Sequence, residues 1–322
     1  MTEPFQEQPE EPRRERPDAI LSSALPAPVE NLLFSRHGLR AIWRCVVYLA
    51  IFTVCFEIVI PSIQPRLPVA IPLLSLRLFV EVELALAAIL PTLFMARMEE
   101  RPWGDYGLPL ANAFGKCFWV GAVWGLASIT VLMLAIACAG GFQFGSLALH
   151  GSRALKFALF WGLMFLVVGV FEEFLLRGYL QYTLTEAVGF WPSAVLLSAG
   201  FGAWHWFNPG ENWLGSMAAG LLGLFFCLTL RRTGNLWFAV GFHAAWDWGE
   251  SYLYSVPDSG QRAARHLMNS SFHGSRWLTG GAVGPEGSLL VFVVIALVWP
   301  AFILAYPVAN YPRPSSDRLA ES

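Results

Sequence analysis

Charge is the scarcest resource in this sequence: only 14% of its 322 residues are Asp, Glu, Lys or Arg, against about 25% in an average soluble domain. With 56% hydrophobic residues and 14 Trp, that scarcity excludes a soluble enzyme and points to a polytopic membrane protein. No segment is strongly basic and the net charge is −2, so nothing recommends nucleic acid as a partner. The five cysteines (Cys45, Cys55, Cys117, Cys138, Cys227) lie in apolar runs without CxxC or Cys/His spacing. A disulfide frame and a cysteine metal cluster are thereby excluded, and the thiols read as small buried residues. The first thirty or so residues lack the apolar core of a signal peptide. Rich in Pro, Glu and Arg, they predict a disordered cytoplasmic tail over residues 1–38, with the first hydrophobic helix as an uncleaved anchor. The HExxH helix of common zinc proteases is also missing. So are a fixed-period repeat and the inverted broken helices of many transporters.

What is present is a series of apolar runs, each near the roughly 20 residues needed to cross a bilayer. Eight are expected, at about 39–60, 69–96, 115–139, 153–185, 191–206, 213–230, 236–254 and 289–305. The fold class is therefore all-α, a polytopic membrane bundle of about eight transmembrane helices. It occupies 39–309, with a motif-bearing core at about 97–290 and a short C-terminal tail over 310–322. Eight crossings put both termini on one side. Arg36, Arg40, Arg97, Arg101, Lys116, Arg231, Arg232, Arg313 and Arg318 fall on that side; Arg66, Arg153, Lys156, Arg262, Arg265 and Arg276 fall opposite. The basic excess predicts cytoplasmic termini.

The fourth run ends in Phe171-Glu172-Glu173-Phe174-Leu175-Leu176-Arg177-Gly178. Each charge at bilayer depth costs roughly 2.5–3.5 kcal/mol on insertion scales, so three in six residues need partners or a wet cavity. Glu173 and Arg177 are i,i+4 with the acid first, the favoured order for a helical ion pair. Glu172 lies about 100° around the helix and is left free. Arg77 and Glu81 in the second run have the same spacing and are expected to pair inside the bundle.

Later helices add His205, then His243 and Asp247, which share a helix face at i,i+4. Glu250 follows one turn on and is expected near the membrane edge, in solvent. Two imidazoles and two carboxylates from three helices can activate a water for attack on a carbonyl, with Glu172 as general base and histidines as donors to the oxyanion. The same set can bind a divalent metal such as Zn2+ that acidifies the water. The metal ligands would then be Glu172, His205, His243 and Asp247. Buried Glu/His chains also serve proton relays, which keeps a proton-coupled transporter among the readings.

These residues fall in a known order. EExxxR (Glu172-Glu173…Arg177), FxxxH (Phe201…His205) and a third motif, HxxxD (His243…Asp247), follow one another on separate helices. In that order they resemble the CPBP family of intramembrane proteases, also called the CAAX prenyl endopeptidase or Abi family. Asp105-Tyr106-Gly107-Leu108 and the Gly-rich 278–287 segment also resemble bacterial members. The resemblance implies an intramembrane endopeptidase of metallo- or glutamate-dependent type, acting on a membrane-anchored or lipid-modified protein or peptide. Glu172 and His205 would activate water, His243 and Asp247 would stabilise the oxyanion, and Glu173 and Arg177 would support them. Asp247 departs from the Asn that is commoner in the family. A non-catalytic scaffold or bacteriocin-immunity protein of the same fold is the alternative. Substrate, metal and oligomeric state are left open by the residues. In the Gly-rich loop, Glu286 and Ser288 suit the N-terminal turn of the last helix as a cap.

Overall fold

The computed structural model describes residues 26, 29, 32–35, 38–59 and 73–311. The expected N-terminal tail falls almost wholly outside those residues, as do Arg36, Arg66, Arg313, Arg318 and all but the first two residues of the C-terminal tail. Within them the chain is a helical bundle with α1 at Ala41–Val54, α2 at Leu73–Met98, α3 at Lys116–Cys138 and α4 at Gly151–Leu175. A π turn at Leu176–Leu180 joins α4 to α5, Gln181–Val188. Then come α6 at Phe190–His205, α7 at Trp213–Thr233 and α8 at Trp237–Trp248, which runs into a second π turn at Gly249–Leu253. The one-turn α9, Arg276–Thr279, precedes α10, Leu289–Ala305. Sheet is confined to two-residue strands pairing in loops, among them β1 (Phe34–Ser35) with β2 (Gly38–Leu39).

Every expected helix has a counterpart whose ends lie within a few residues of the sequence reading. Among the described residues five helical stretches are long and apolar enough to cross a membrane unaided: Ala41–Ile58, Leu74–Met98, Lys116–Cys138, Gly151–Val188 and Trp213–Thr233. The helices α6, α8 and α10 are shorter. Rows of apolar side chains point outward, as at Leu155, Leu159 and Leu163 on α4 or Leu86, Leu90 and Phe94 on α2. Their i,i+4 spacing makes continuous apolar stripes that water would not tolerate and lipid tails cover. The protein is an integral membrane protein.

Helix α8 runs through the middle of the bundle, against α3 on one side and α4 on the other. Small residues allow this. A Cβ on Gly121 or Gly125 of α3 would stand 2.1 Å from the carbonyl oxygens of Phe238 and Phe242, and one on Gly241 would meet Phe118 as closely. The backbones touch there because hydrogen is the largest side chain that fits, the usual route to tight helix association in lipid. On α4, Gly169 plays the same part more gently, its missing Cβ 3.2 Å from the Val240 carbonyl and 3.6 Å from the His243 Cβ. Gly169 sits one turn before Glu172 and Glu173, so the approach carries both acids up to α8.

At one end, an ionic knot ties α1 to the end of α2 and to α5. Arg44 meets Glu99 at 3.3 Å and also pairs with Glu186, which Arg101 approaches to 3.3 Å. The Tyr106 and Tyr179 hydroxyls donate to Glu99. Tyr106 thereby anchors the Asp105–Leu108 segment, and the turn closes at Gly107 with φ 104°.

The loop after α8 contains β4 (Pro257–Asp258) paired with β5 (Gln261–Arg262), and β6 (Ser271–Phe272) paired with β3 (Phe142–Gln143). It folds back over the end of α8. This overturns the expectation for Glu250, which is completely buried rather than solvated. Ser288 is the N-cap of α10 as expected, its Oγ accepting from the Leu290 N–H at 3.1 Å. Glu286 takes no part in that cap; it receives the Trp246 indole N–H at 3.2 Å and the Ser259 hydroxyl at 3.0 Å.

Candidate active site

The acids Glu172 and Glu173 occupy the last turn of α4, immediately before the π turn. Helical hydrogen bonding is interrupted there: Gly178 has ψ −116°, and a Cβ at that position would meet the Phe174 ring at 2.9 Å. Such one-turn π segments recur at functional sites. The change of direction keeps Arg177 inside the bundle.

Glu173 and Arg177 form the i,i+4 ion pair at 3.2 Å, both side chains fully buried. The guanidinium lies over the Phe201 ring at 4.5 Å and near the Phe226 ring at 5.9 Å. Its Nε and one terminal nitrogen have no hydrogen-bond partner, so the negative ring faces supply the remaining stabilisation. Space for it is made by Gly223 on α7, where a Cβ would come within 2.2 Å of that nitrogen.

The Glu173 oxygen that meets Arg177 also lies 3.0 Å from Nδ1 of His243. A carboxylate only accepts, so Nδ1 carries the proton. His243 Nε2 then faces Glu172 at 3.7 Å and Asp247 at 3.4 Å, while the ring stacks on Phe226. Both nitrogens therefore face carboxylates, the setting in which a doubly protonated imidazolium donates to each side.

His205 does not join this cluster by a hydrogen bond. Its Nδ1 lies 3.0 Å from the Phe201 carbonyl one turn back; a carbonyl cannot donate, so Nδ1 is the protonated nitrogen, and in the neutral ring Nε2 is the one with the lone pair. It shares a cavity of about 390 Å³ with Glu172, His243 and Asp247. The other walls include Glu81, Arg77 and, from the loop after α8, Asp258 and Glu286.

Glu81 and Arg77 were expected to neutralise each other within α2. They form none of the ion pairs seen among the described residues, and both line the cavity instead, a setting in which water can solvate intramembrane charges. Their depth in an apolar helix was legible in the sequence; that α2 faces the site was not. Asp258 and Glu286 carried no such signal, being polar residues in a polar loop.

A zinc ion would need three donors about 3.3 Å apart around it. Among the described residues, Glu172, His205, His243 and Asp247 do not supply three donor atoms mutually within 4.8 Å. They do not fit a zinc centre in this arrangement.

Neither a curated protein nor a solved structure matches this chain significantly. A family model does match, described as type II CAAX prenyl endopeptidase Rce1-like, over residues 154–249. That span holds all three motifs, from Glu172 to Asp247. The model that matches residues 154–249 is thus one for the family that the order of the motifs resembles.

Proposed function

We propose that this protein is an intramembrane endopeptidase that hydrolyses a peptide bond in a membrane-anchored or lipid-modified substrate, with Glu172 as the general base. The observation that carries the reading is the shared cavity. A carboxylate held 19% exposed at Glu172 and the lone pair of His205 Nε2 open onto one space inside an apolar bundle.

In this mechanism Glu172 takes a proton from a water in the cavity, and the hydroxide oxygen attacks the scissile carbonyl carbon. His205 Nε2 accepts a hydrogen bond from the same water and orients it. The carbonyl electrons move onto oxygen, where the His243 N–H donates and Asp247 donates in its protonated form, a contribution of about 10²–10³ in rate per donor in comparable sites. The proton on Glu172 passes to the departing amine, the C–N bond breaks, and the base is restored. Glu173 and Arg177 act through His243: they hold Nδ1 and leave Nε2 directed at the reacting groups. Residues 39–309 act as one membrane-embedded unit, in a bacterial inner membrane with both termini cytoplasmic, a placement supported by the basic excess on that side.

The test compares membrane proteomes of cells carrying the wild-type protein, Glu172→Ala or His205→Ala, alongside melting curves of each purified variant. The expected result is a substrate that accumulates uncleaved in both variants while their melting temperatures stay near wild type. Wild-type processing in either variant would remove that residue from the mechanism.

A further inference from the structure

Three carboxylates outside the motif set converge where the loop after α8 folds back. Glu250 comes from the π turn that follows α8, Asp258 from β4, and Glu286 from the 3-10 turn Pro285–Gly287. One oxygen from each lies within 4.8 Å of the other two. Acidic clusters alone are commonplace; what singles this one out is Glu250. It is completely buried, and although Oε2 receives the Trp246 indole N–H at 3.0 Å, Oε1 has no hydrogen-bond partner. That bare oxygen lies beside Gly284, two residues before Glu286 in the same loop that bears Asp258. A Cβ on Gly284 would sit 2.8 Å from it and 2.1 Å from the Pro257 carbonyl oxygen, and Pro257 directly precedes Asp258.

A buried carboxylate oxygen left bare is costly, and no protein cation answers it. None of the ion pairs among the described residues involves Glu250, Asp258 or Glu286. Three acids facing one another without a counter-charge are a place built for one.

We infer that Glu250, Asp258 and Glu286 bind a hard divalent cation, calcium, at a site adjacent to but separate from the His243 cluster. Oxygen-only donors favour calcium or magnesium over zinc or copper. Dehydration decides between the first two: magnesium gives up its waters reluctantly and is rarely held by an all-protein cage, whereas calcium takes protein carboxylates directly. The three oxygens, within 4.8 Å of one another, are close enough to share one ion. The ligands are already oriented: Ser251 donates to Asp258 at 3.0 Å, and Ser259 to Glu286 at 3.0 Å. Bound there, the ion fastens the end of α8 to both ends of the loop that walls the cavity. It lies beyond the segment that matches the protease family.

The test uses the full chain purified in detergent and stripped with a chelator. Equilibrium dialysis with radioactive calcium should show one saturable ion per chain. Calcium at about a hundred times its Kd should raise the melting temperature by about 4 °C, with magnesium weaker. Glu286→Gln and Asp258→Asn should each lower calcium affinity at least tenfold, and Glu172→Gln should leave it unchanged. Absence of saturable binding to the folded wild-type protein would overturn the inference, because shared protons would then be the occupants. Affinity that falls in Glu172→Gln but holds in Glu286→Gln and Asp258→Asn would overturn it too, by moving the ion to the His243 cluster.

Discussion

One oxygen of Glu173 serves both His243, whose Nδ1 lies 3.0 Å away, and Arg177 at 3.2 Å. Two elements are tied through a single atom: the α4 helix with its π turn, and α8. The ring that faces Glu172 and Asp247 takes its orientation from an acid that itself never meets the cavity.

Glu173→Gln tests that coupling. The amide keeps the shape and removes the charge, so Arg177 is left buried with only aromatic faces around it. Breaking a buried pair by changing one partner costs about 3–5 kcal/mol, which in a chain of this size lowers the melting temperature by about 4–7 °C. Cleavage should fall as well, since the Gln amide can present N–H to Nδ1 and turn the imidazole to the wrong tautomer. An unchanged melting point in detergent would deny Glu173 the pairing role.

The α3–α8 contact makes a sharper stability prediction. In Gly125→Ala the new methyl meets the Phe242 backbone carbonyl at 2.1 Å, and neither helix can yield without moving the other. Overpacking of this kind costs about 1–3 kcal/mol. Gly200→Ala on α6 is the control, because nothing lies within 4 Å of its Cβ and helix propensity gains about 1 kcal/mol. Thermal melts of the pair should move in opposite directions. Equal shifts would mean the α3–α8 approach tolerates a methyl.

How much of this was readable in advance depends on range. Glu173 with Arg177, and Ser288 before α10, are contacts within one turn, and helical spacing alone finds them. Glu250 was misjudged because its burial is made by residues up to thirty-six positions later, Asp258 and Glu286, whose loop gives no periodic signal. Arg77 and Glu81 show the converse error: the spacing was right for a pair, but a cavity offered each charge another solution.

Ser288 offers a substitution that separates stability from chemistry. Its hydroxyl accepts from the Leu290 N–H and donates to the Leu278 carbonyl at 2.6 Å, in a fully buried position. Ser288→Ala removes the cap of α10 and should cost about 1–2 kcal/mol, seen as a lower melting temperature. Ser288 is not part of the cavity wall, so kcat should stay near wild type at temperatures where the variant is folded. A large loss of kcat without a stability change would connect the cap to the chemistry.

Asp247 is where this chain departs from the commoner Asn, and the geometry says what to expect of exchanging them. Its Oδ2 lies 3.4 Å from His243 Nε2, on the side of the ring that faces the cavity. If its part is to place a hydrogen-bond donor beside the developing oxyanion, the Asn amide supplies an N–H in the same position. Asp247→Asn should then keep kcat within about tenfold, while Asp247→Ala, with no donor and no partner for Nε2, should lose about 10²–10³. Single-turnover rates on a common substrate distinguish the two, because they isolate chemistry from product release. Should the Asn variant be as slow as the Ala variant, charge rather than donation is what the position contributes, and the oxyanion role would pass to His243 alone.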